Sequence, residues 1–215
     1  MTTPDPSTPS LRLLVADDHP VIRAGIASLV ANAPGMKVVA QACDGVEAIE
    51  CYRLHRPDVT LMDLQMPRLD GTAAIAEIRR LWPDARIVVL TTYQGDVQAL
   101  RALKAGACGF IVKSMIRKDL LAAIRDAHAG RRNISAEVAN DIGLHAIEEP
   151  LSAREIEVLR HLATSSRNKL IAGNMGVTEG TVKTHMKNIL AKLGASDRTE
   201  AVMIALRRGI IDLWD

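Results

Sequence analysis

Short, mostly apolar runs recur along the first part of the chain, and each is bounded by polar or turn residues. The runs begin at Leu11, Met36, Val59, Ile87 and Phe110. Such runs are typical of strands buried on both faces of a parallel sheet. Between them, apolar residues spaced three and four apart predict helices. Five strands alternating with helices therefore predict a doubly wound α/β domain over residues 11–129.

The pattern changes after Gly130, where loop and stop signals replace the alternation. We expect a linker over residues 130–150. Beyond it only helical patterns remain, and Ser152 with Glu155 forms a capping box at the first of them. These patterns predict a small all-α domain of four helices over residues 151–215, of a size that suits binding rather than catalysis.

Four of the five predicted strands lead directly into polar residues. These residues are Asp17 with Asp18, then Asp63, Thr91 and Lys113. In parallel sheets, ligands bind at the edge formed by the carboxyl ends of the strands. Right-handed winding brings the first and third strands side by side, so the carboxylates would repel one another unless a cation lay among them. Mg²⁺ prefers oxygen ligands and commonly bridges carboxylates to phosphate oxygens, which predicts a metal and phosphoryl site.

Each of these residues also has a plainer interpretation. Asp17 and Asp18 suit the N-terminus of the helix that begins at Pro20, and Asp63 suits the start of a loop. Taken together they favour the phosphoryl site, because a lysine and a threonine hydroxyl at the same edge could both hold a phosphoryl group. A carboxylate in that setting can act as a nucleophile and form an aspartyl phosphate.

One predicted helix near the end of the chain carries a basic face. Lys183, Thr184 and Lys187 fall on one side of this helix, at spacings of three and four residues. Between residues 160 and 192, Glu179 is the only acidic residue. A basic stripe beside a short capped helix is typical of DNA binding, although an ordinary solvated helix face is the simpler interpretation.

Composition and net charge add little to the predicted fold and function. Hydrophobic residues make up 48% of the chain and aromatic residues 2%, so the cores must consist of aliphatic side chains. The net charge of +2 says little about partners. The three cysteines form no metal-binding pair and no apolar run could span a bilayer, so we expect no membrane partner and a cytoplasmic location. Residues 1–10, rich in Thr, Pro and Ser, are predicted to form a disordered tail.

The first of the two predicted domains resembles the receiver domain of bacterial two-component response regulators. The matching motifs are Asp17-Asp18, Asp63-Leu64-Gln65-Met66-Pro67, Asp70-Gly71, Thr91-Thr92 and Gly109-Phe110-Ile111-Val112-Lys113. The resemblance implies a flavodoxin-like fold in which Asp63 is the phosphoacceptor. It also implies a histidine kinase as the partner that donates the phosphoryl group.

The receiver resemblance implies further roles at the same edge of the sheet. Asp18, Asp63 and the backbone carbonyl of Gln65 would coordinate Mg²⁺. Asp17 would act on the metal through a bound water. Thr91 and Lys113 would bind the phosphoryl group, and Phe110 would turn inward as the aromatic residue of the switch.

The second domain resembles the LuxR-type helix-turn-helix, so the whole chain resembles a response regulator of the NarL/FixJ type. The matching segments are Leu151 to Leu159, Thr181 to His185 and Ile189 to Gly194. By resemblance, base contacts come from Lys183, Thr184 and Lys187, and phosphate contacts from Asn168, Lys169 and Thr181. The partners implied are promoter DNA, a second copy of the chain on that DNA, and RNA polymerase.

The leading hypothesis is a transcriptional regulator, not an enzyme, whose dimerisation and promoter binding change when Asp63 is phosphorylated. An aspartate-nucleophile phosphatase is an alternative, but such enzymes usually carry an acid two residues after the nucleophile, where this chain has Gln65. A constitutive DNA-binding regulator with a vestigial receiver is the other alternative, and the complete acidic set argues against it.

Overall fold

The computed structural model describes residues 10–91, 96–132, 134, 149–164 and 167–211. These residues form two compact units, an α/β unit mainly from the first part of the chain and a helical unit mainly from the last part. Residues 1–9 of the predicted tail, most of the predicted linker and Thr92 lie outside the described residues. None of the helices in the described part of the chain combines the length and apolar character that a membrane span requires.

The α/β unit is built on a parallel sheet of five strands in the order β2-β1-β3-β4-β5. The strands are β1 (Leu11–Ala16), β2 (Met36–Ala42), β3 (Val59–Asp63), β4 (Ile87–Thr91) and β5 (Gly109–Val112). The chain winds outward from β1 in both directions, and this reversal brings the ends of β1 and β3 together. The predicted doubly wound, flavodoxin-like α/β fold is confirmed.

Helices connect consecutive strands and cover both faces of the sheet. They are α1 (Pro20–Ala31), α2 (Gly45–His55), α3 (Gly71–Leu81), α4 (Asp96–Ala105) and α5 (Ile116–His128). Side chains of Asp44 and Asp70 cap α2 and α3, as the preference of aspartate for this position leads one to expect. Helical spacing in the sequence extends from Pro20 to Ala33, whereas α1 ends at Ala31; Asn32 follows as its C-cap, and its side-chain amide donates to the Ser28 carbonyl.

The sheet is buried on both faces, which explains why its strands are almost continuously apolar. All five residues of β3 and of β4 are buried. One apolar cluster joins alternate strand residues such as Leu13, Leu61 and Val88 to α5 residues such as Leu120 and Ile124. This packing fixes the strand ends, and with them the polar residues that follow.

The helical unit contains four helices in its described residues. They are α6 (Ala153–Ala163), α7 (Asn168–Met175), α8 (Glu179–Leu193) and α9 (Arg198–Arg207). The capping box of Ser152 and Glu155 starts α6, as predicted. Val158, Ile171, Val182, Ile189 and Ala205 belong to one apolar cluster, so every helix contributes to a single small core. The predicted all-α domain is confirmed.

Candidate functional site

The acidic residues of the α/β unit meet where β1 and β3 end side by side. Ala16, the last residue of β1, lies opposite Met62, so Asp17 and Asp63 occupy neighbouring positions just beyond this pair. Asp17 is fully buried and Asp63 is 3% exposed. Two buried carboxylates in neighbouring positions repel each other unless cations neutralise them.

Lys113 supplies one of these cations. Its Nζ lies 2.8 Å from Oδ2 of Asp17 and 2.7 Å from Oδ2 of Asp63. Lys113 comes directly after β5, where it begins a turn of 3₁₀ helix that runs to Met115. Although β5 is not a neighbour of β3 in the sheet, the long lysine side chain bridges the distance.

Burial affects the pKa values of both Asp63 and Lys113. Burial raises the pKa of Asp63 above its ordinary value, and the hydrogen bond from Lys113 only partly offsets this effect. Burial would lower the pKa of Lys113, but its hydrogen bonds with Asp17 and Asp63 outweigh burial and keep the pKa raised. One lysine therefore faces two buried carboxylates, and a further cation at this edge would be favourable.

Asp17 is held by two residues that the sequence patterns did not single out. The backbone N–H of His19 donates to Oδ1 of Asp17 at 2.9 Å, and Arg23 Nη1 donates to the Asp17 carbonyl oxygen at 2.6 Å. Nδ1 of His19 lies 2.5 Å from Oδ1 of Asp18. The sequence signal for His19 was its place directly after the acidic pair. For Arg23 there was none, because its reach back to β1 depends on how α1 packs.

The donor set fits a metal ion. One ligand atom from each of Asp17, Asp18, His19 and Asp63 lies within 4.8 Å of the others. Apart from the ion pair with Lys113, Oδ2 of Asp17 accepts no hydrogen bond from the described residues, and apart from the contact with His19 the same holds for the buried Oδ1 of Asp18. Carboxylate oxygens of this kind are the ligands that hard divalent cations prefer.

The loop after Asp63 is fixed by close backbone contacts. The Gly71 N–H donates to the Leu64 carbonyl at 2.9 Å, and a Cβ added at Gly71 would overlap the Asp63 carbonyl oxygen. Arg68 adopts a positive φ of 63° and its Nε donates to Oδ2 of Asp44 at 2.6 Å. Burial opposes ionisation of Asp44, but the Glu47 N–H and Arg68 outweigh it and hold the pKa of Asp44 below its ordinary value.

The other predicted residues of this site lie at the same edge of the sheet or beside it. Thr91 is the last residue of β4 and is buried, and its neighbour in β5 is Val112, which precedes Lys113. Phe110 is buried within β5. Gln65 is exposed, and its backbone N–H approaches Oδ1 of Asp63 at 3.4 Å. Asp17 and Asp63 thus contact Lys113 directly. Thr91, Phe110 and Gln65 lie in or just after neighbouring strands of the sheet.

A second candidate site is the outer face of α8 in the helical unit. Gly176, at a φ of 66°, ends α7, and Thr178 caps α8 by accepting from the Thr181 N–H. A tight turn therefore joins two helices, which is the arrangement of a helix-turn-helix. Val182, Met186 and Ile189 of α8 are buried, and this spacing turns the basic face outward.

The residues predicted to contact DNA differ in exposure and in the hydrogen bonds that their side chains make within the unit. Lys183, Lys187 and Lys169 are exposed. Thr184 is also exposed, and its hydroxyl donates to the Gly180 carbonyl at 3.1 Å. The Thr181 hydroxyl lies 2.9 Å from that of Thr178.

Asn168 has a partner that the sequence did not predict. Its Oδ1 accepts from Nη2 of Arg198 at 2.9 Å, so its side-chain amide N–H groups point away from that contact. Asn168 is separated from Arg198 by 30 residues, and no local pattern could have paired them.

Two family models match the chain, one to each unit. The response regulator receiver domain matches residues 13–125, and the luxR family of bacterial regulatory proteins matches residues 149–205. The acidic edge of the sheet lies within the first match, and the basic face of α8 lies within the second.

Curated relatives match nearly the full length of the chain. The chain is 38% identical over 212 residues to the uncharacterized transcriptional regulatory protein YxjL of Bacillus subtilis (strain 168), covering 94% of the chain and 97% of the relative. It is 34% identical over 218 residues to the probable transcriptional regulatory protein NarL of Mycobacterium tuberculosis (strain ATCC 25618 / H37Rv), covering 99% of the chain and 100% of the relative.

A solved structure is similar over nearly the same length. RcsB from Salmonella enterica serovar Typhimurium, bound to promoter P1flhDC in the presence of phosphomimetic BeF3-, matches with a TM-score of 0.70 and 25% identity. The match covers 91% of the chain and 97% of RcsB. In that complex the similar protein binds promoter DNA.

Proposed function

Because the chain belongs to the response regulators that join a receiver domain to a luxR-type DNA-binding domain, we propose that it is a transcriptional regulator controlled by phosphorylation of Asp63. The observation that carries this proposal is the buried pair of Asp17 and Asp63 with Lys113 between them. A sheet edge with this charge arrangement suits a phosphoryl group, whose oxygens could take over the hydrogen bonds of Lys113.

The proposed reaction is transfer of a phosphoryl group from a phosphohistidine of a kinase. An Asp63 carboxylate oxygen forms the new bond to phosphorus, the bond from phosphorus to the histidine nitrogen breaks, and the kinase imidazole leaves. Lys113 stays close to the transferring group and offsets its charge. The Lys113 Nζ is already within 2.7 Å of Asp63, so this role requires only a small movement of the side chain.

Mg²⁺ is the cation we propose for this edge, held by Asp18, Asp63 and the Gln65 carbonyl, with Asp17 acting through a bound water. When bound, Mg²⁺ would neutralise charge on the phosphoryl oxygens. The donor-rich setting of Asp17 and Asp18 supports a cation here. Thr91 would donate its hydroxyl to a phosphoryl oxygen, and Phe110, in the neighbouring strand β5, would follow the movement of Thr91.

Promoter DNA is the proposed partner of the helical unit. Helix α8 would enter the major groove, where Lys183 and Lys187 can donate to guanine and the Thr184 methyl group can contact thymine. Asn168, Lys169 and Thr181 would contact phosphates. The hydrogen bond from Arg198 to Oδ1 of Asn168 supports this role, because it leaves the amide N–H groups to donate.

A second copy of the chain is the proposed partner of α9. The Ala201 and Ala205 side of α9 is buried, whereas Met203 is 62% exposed. A two-fold contact through the exposed side would set two α8 helices on two half-sites. Met203→Lys should reduce the dimer measured by sedimentation on DNA, and wild-type chains that stay monomeric when phosphorylated and DNA-bound would contradict the dimer.

Domain limits, location and remaining partners follow from this function. We propose domain limits of 11–129 and 151–215, joined by a linker over 130–150, and the family matches at 13–125 and 149–205 support a division of this kind. A histidine kinase and RNA polymerase are the proposed protein partners. A regulator of promoters acts in the cytoplasm, which is the location we propose.

The proposal differs from the two alternatives in measurable ways. A phosphatase of this kind would need an acid two residues after Asp63, and Gln65 offers only an amide there. We therefore propose that the chain is not an enzyme acting on a separate substrate. A constitutive DNA binder would bind the same duplexes whether or not Asp63 is phosphorylated.

The experiment is to incubate the full chain with acetyl phosphate and Mg²⁺ and to measure its intact mass and its binding to duplexes selected from a random library. The wild type should gain one phosphoryl group and bind the selected DNA more tightly. Asp63→Asn should gain none. Asp84→Asn, which alters an exposed carboxylate in the α3–β4 turn, is the matched control and should behave like the wild type.

The results of this experiment distinguish the phosphorylation-controlled regulator from the two alternatives. No mass gain by the wild type overturns phosphorylation, and a mass gain without any change in DNA binding favours the vestigial receiver. Hydrolysis of a separate phosphate ester by the wild type, abolished in Asp63→Asn, would favour the phosphatase.

A further inference from the structure

The ring of His19 is fixed against the acidic pair by the local backbone. His19 has extended φ and ψ of −85° and 110°, and Pro20 follows it at the start of α1. Proline disfavours the helical conformation for the residue before it, so this geometry is built into the chain. The His19 N–H is also bonded to Asp17, which leaves the side chain directed along the acidic edge.

The contact between His19 and Asp18 requires a hydrogen atom or a metal ion that relieves the repulsion between two electron pairs. Nδ1 of His19 lies 2.5 Å from Oδ1 of Asp18 and 3.4 Å from Oδ1 of Asp17. In a neutral imidazole one ring nitrogen carries hydrogen and the other carries a lone pair. A lone pair on Nδ1 and a carboxylate oxygen at this distance repel, so either Nδ1 carries a hydrogen and donates it to Asp18, or both atoms face one metal ion.

Two observations favour a metal ion as an occupant. The four ligand atoms of Asp17, Asp18, His19 and Asp63 lie within 4.8 Å of one another, a span that the opposite ligands of one ion nearly reach. Fully buried Asp17 also has an oxygen, Oδ2, for which Lys113 is the only partner among the described residues.

We propose that His19 is a nitrogen ligand of the receiver cation site, so that the site binds Zn²⁺ and related transition ions in competition with Mg²⁺. This inference rests on the cation site of the proposed function. Mg²⁺ takes oxygen ligands, whereas imidazole suits Zn²⁺, Ni²⁺ and Cu²⁺. The His19 side chain is 63% exposed, so the ring is accessible to an ion from solvent.

The competing interpretation is that Nδ1 of His19 carries a hydrogen and only positions Asp18. The two roles predict different metal selectivity. A positioning residue affects every metal alike, because it acts through the same carboxylate. A ligand affects the imidazole-binding metals far more than Mg²⁺.

The test is titration of the full chain with Mg²⁺ alone and with Zn²⁺ alone, in the wild type, His19→Asn and His19→Phe. Asparagine replaces the nitrogen by an amide oxygen of similar reach, and phenylalanine keeps a ring without a ligand. We expect Zn²⁺ affinity to fall by about tenfold or more in both variants, and Mg²⁺ affinity to change by less than about threefold. All chains carry Cys43→Ser, because Cys43, Asp44 and Glu47 form another group of possible ligands.

A direct readout comes from the ¹⁵N signals of the histidine rings. Zn²⁺ should shift the signal that His19→Phe removes. Equal losses for both metals, or a His19 signal unmoved by saturating Zn²⁺, would overturn the proposal.

The proposed function can fail separately. Without any phosphoryl gain from acetyl phosphate and Mg²⁺, phosphorylation is contradicted, while the metal titrations still decide the role of His19. Unchanged Zn²⁺ affinity in the variants would overturn only the proposal that His19 is a nitrogen ligand and would leave the proposed phosphorylation of Asp63 untouched.

Discussion

Lys192, near the end of α8, lies against Glu155 in the first turn of α6, with Nζ 3.1 Å from Oε2. Glu155 is buried and its Oε2 also accepts from the Ser152 backbone N–H at 2.7 Å. One carboxylate thus caps α6 and anchors the helix that carries the basic face. A contact between residues 37 positions apart therefore helps the apolar core to hold α8 in place.

Glu155→Gln should destabilise the helical unit. The neutral amide removes the charge assistance of both hydrogen bonds and leaves Lys192 with only the exposed Glu149 as a carboxylate partner among the described residues, a loss of about 1–3 kcal/mol. Urea unfolding of the full chain measures it. Glu157→Gln is the matched control, because Glu157 pairs with Arg154 on the exposed side of the same helix and should change stability by less than about 0.5 kcal/mol.

The contribution of Glu155 should also depend on pH. Burial favours the protonated acid, but hydrogen bonds from Ser152 and Lys192 outweigh it and hold the pKa of Glu155 below its ordinary 4.5. Stability from this group is then present above pH 4.5 and is lost as the pH falls through the lowered folded value. The stability difference between the wild type and Glu155→Gln should shrink in that acidic window, and a constant difference would contradict this assignment.

Gly71→Ala should distort the loop beside Asp63. A Cβ at this position overlaps the Asp63 carbonyl oxygen, and backbone cannot yield as a flexible side chain can. We expect a loss of about 2 kcal/mol or more and a slower phosphoryl gain from acetyl phosphate. Gly25→Ala in α1, where a Cβ meets nothing within 4 Å, is the control and should be neutral or stabilising. Equal effects of the two substitutions would show that the overlap is relieved at no cost.

The sequence predicted the strand ends because apolar runs in a parallel sheet are nearly continuous and their polar termini stand out. That pattern led to Asp17, Asp63 and Lys113, which the fold brings together, and their roles in phosphorylation stay predictions. It could not reveal Arg23 or the pairing of Asn168 with Arg198. Those contacts depend on how distant helices pack, which periodicity does not encode. Gly71 was noticed as part of a motif, but its physical reason is a close backbone approach visible only in the fold.

Thr60→Val should stabilise the α/β unit. Thr60 is fully buried in β3, and its hydroxyl has no hydrogen-bond partner among the described residues. Valine has nearly the same shape without the polar group, so removing the unpaired hydroxyl should add about 1 kcal/mol. Thr60→Ser keeps the hydroxyl, loses the methyl group and should lower stability by about 1 kcal/mol. Urea midpoints rank the three chains, and a valine variant less stable than the wild type would mean that the hydroxyl is paired.

Lys183→Ala should weaken binding to selected duplexes more than binding to random DNA. If Lys183 donates to a base in the major groove, the loss at the specific site is about 1–3 kcal/mol, with little change elsewhere. Lys169→Ala should instead weaken both kinds of binding equally. It should also reduce the slope of log K against log salt concentration by about one, because each phosphate contact releases one counterion. Lys118→Ala removes the same charge from α5 in the α/β unit and controls for net charge. Equal losses on specific and random DNA would move Lys183 from the bases to the phosphates, since only a base contact distinguishes one sequence from another.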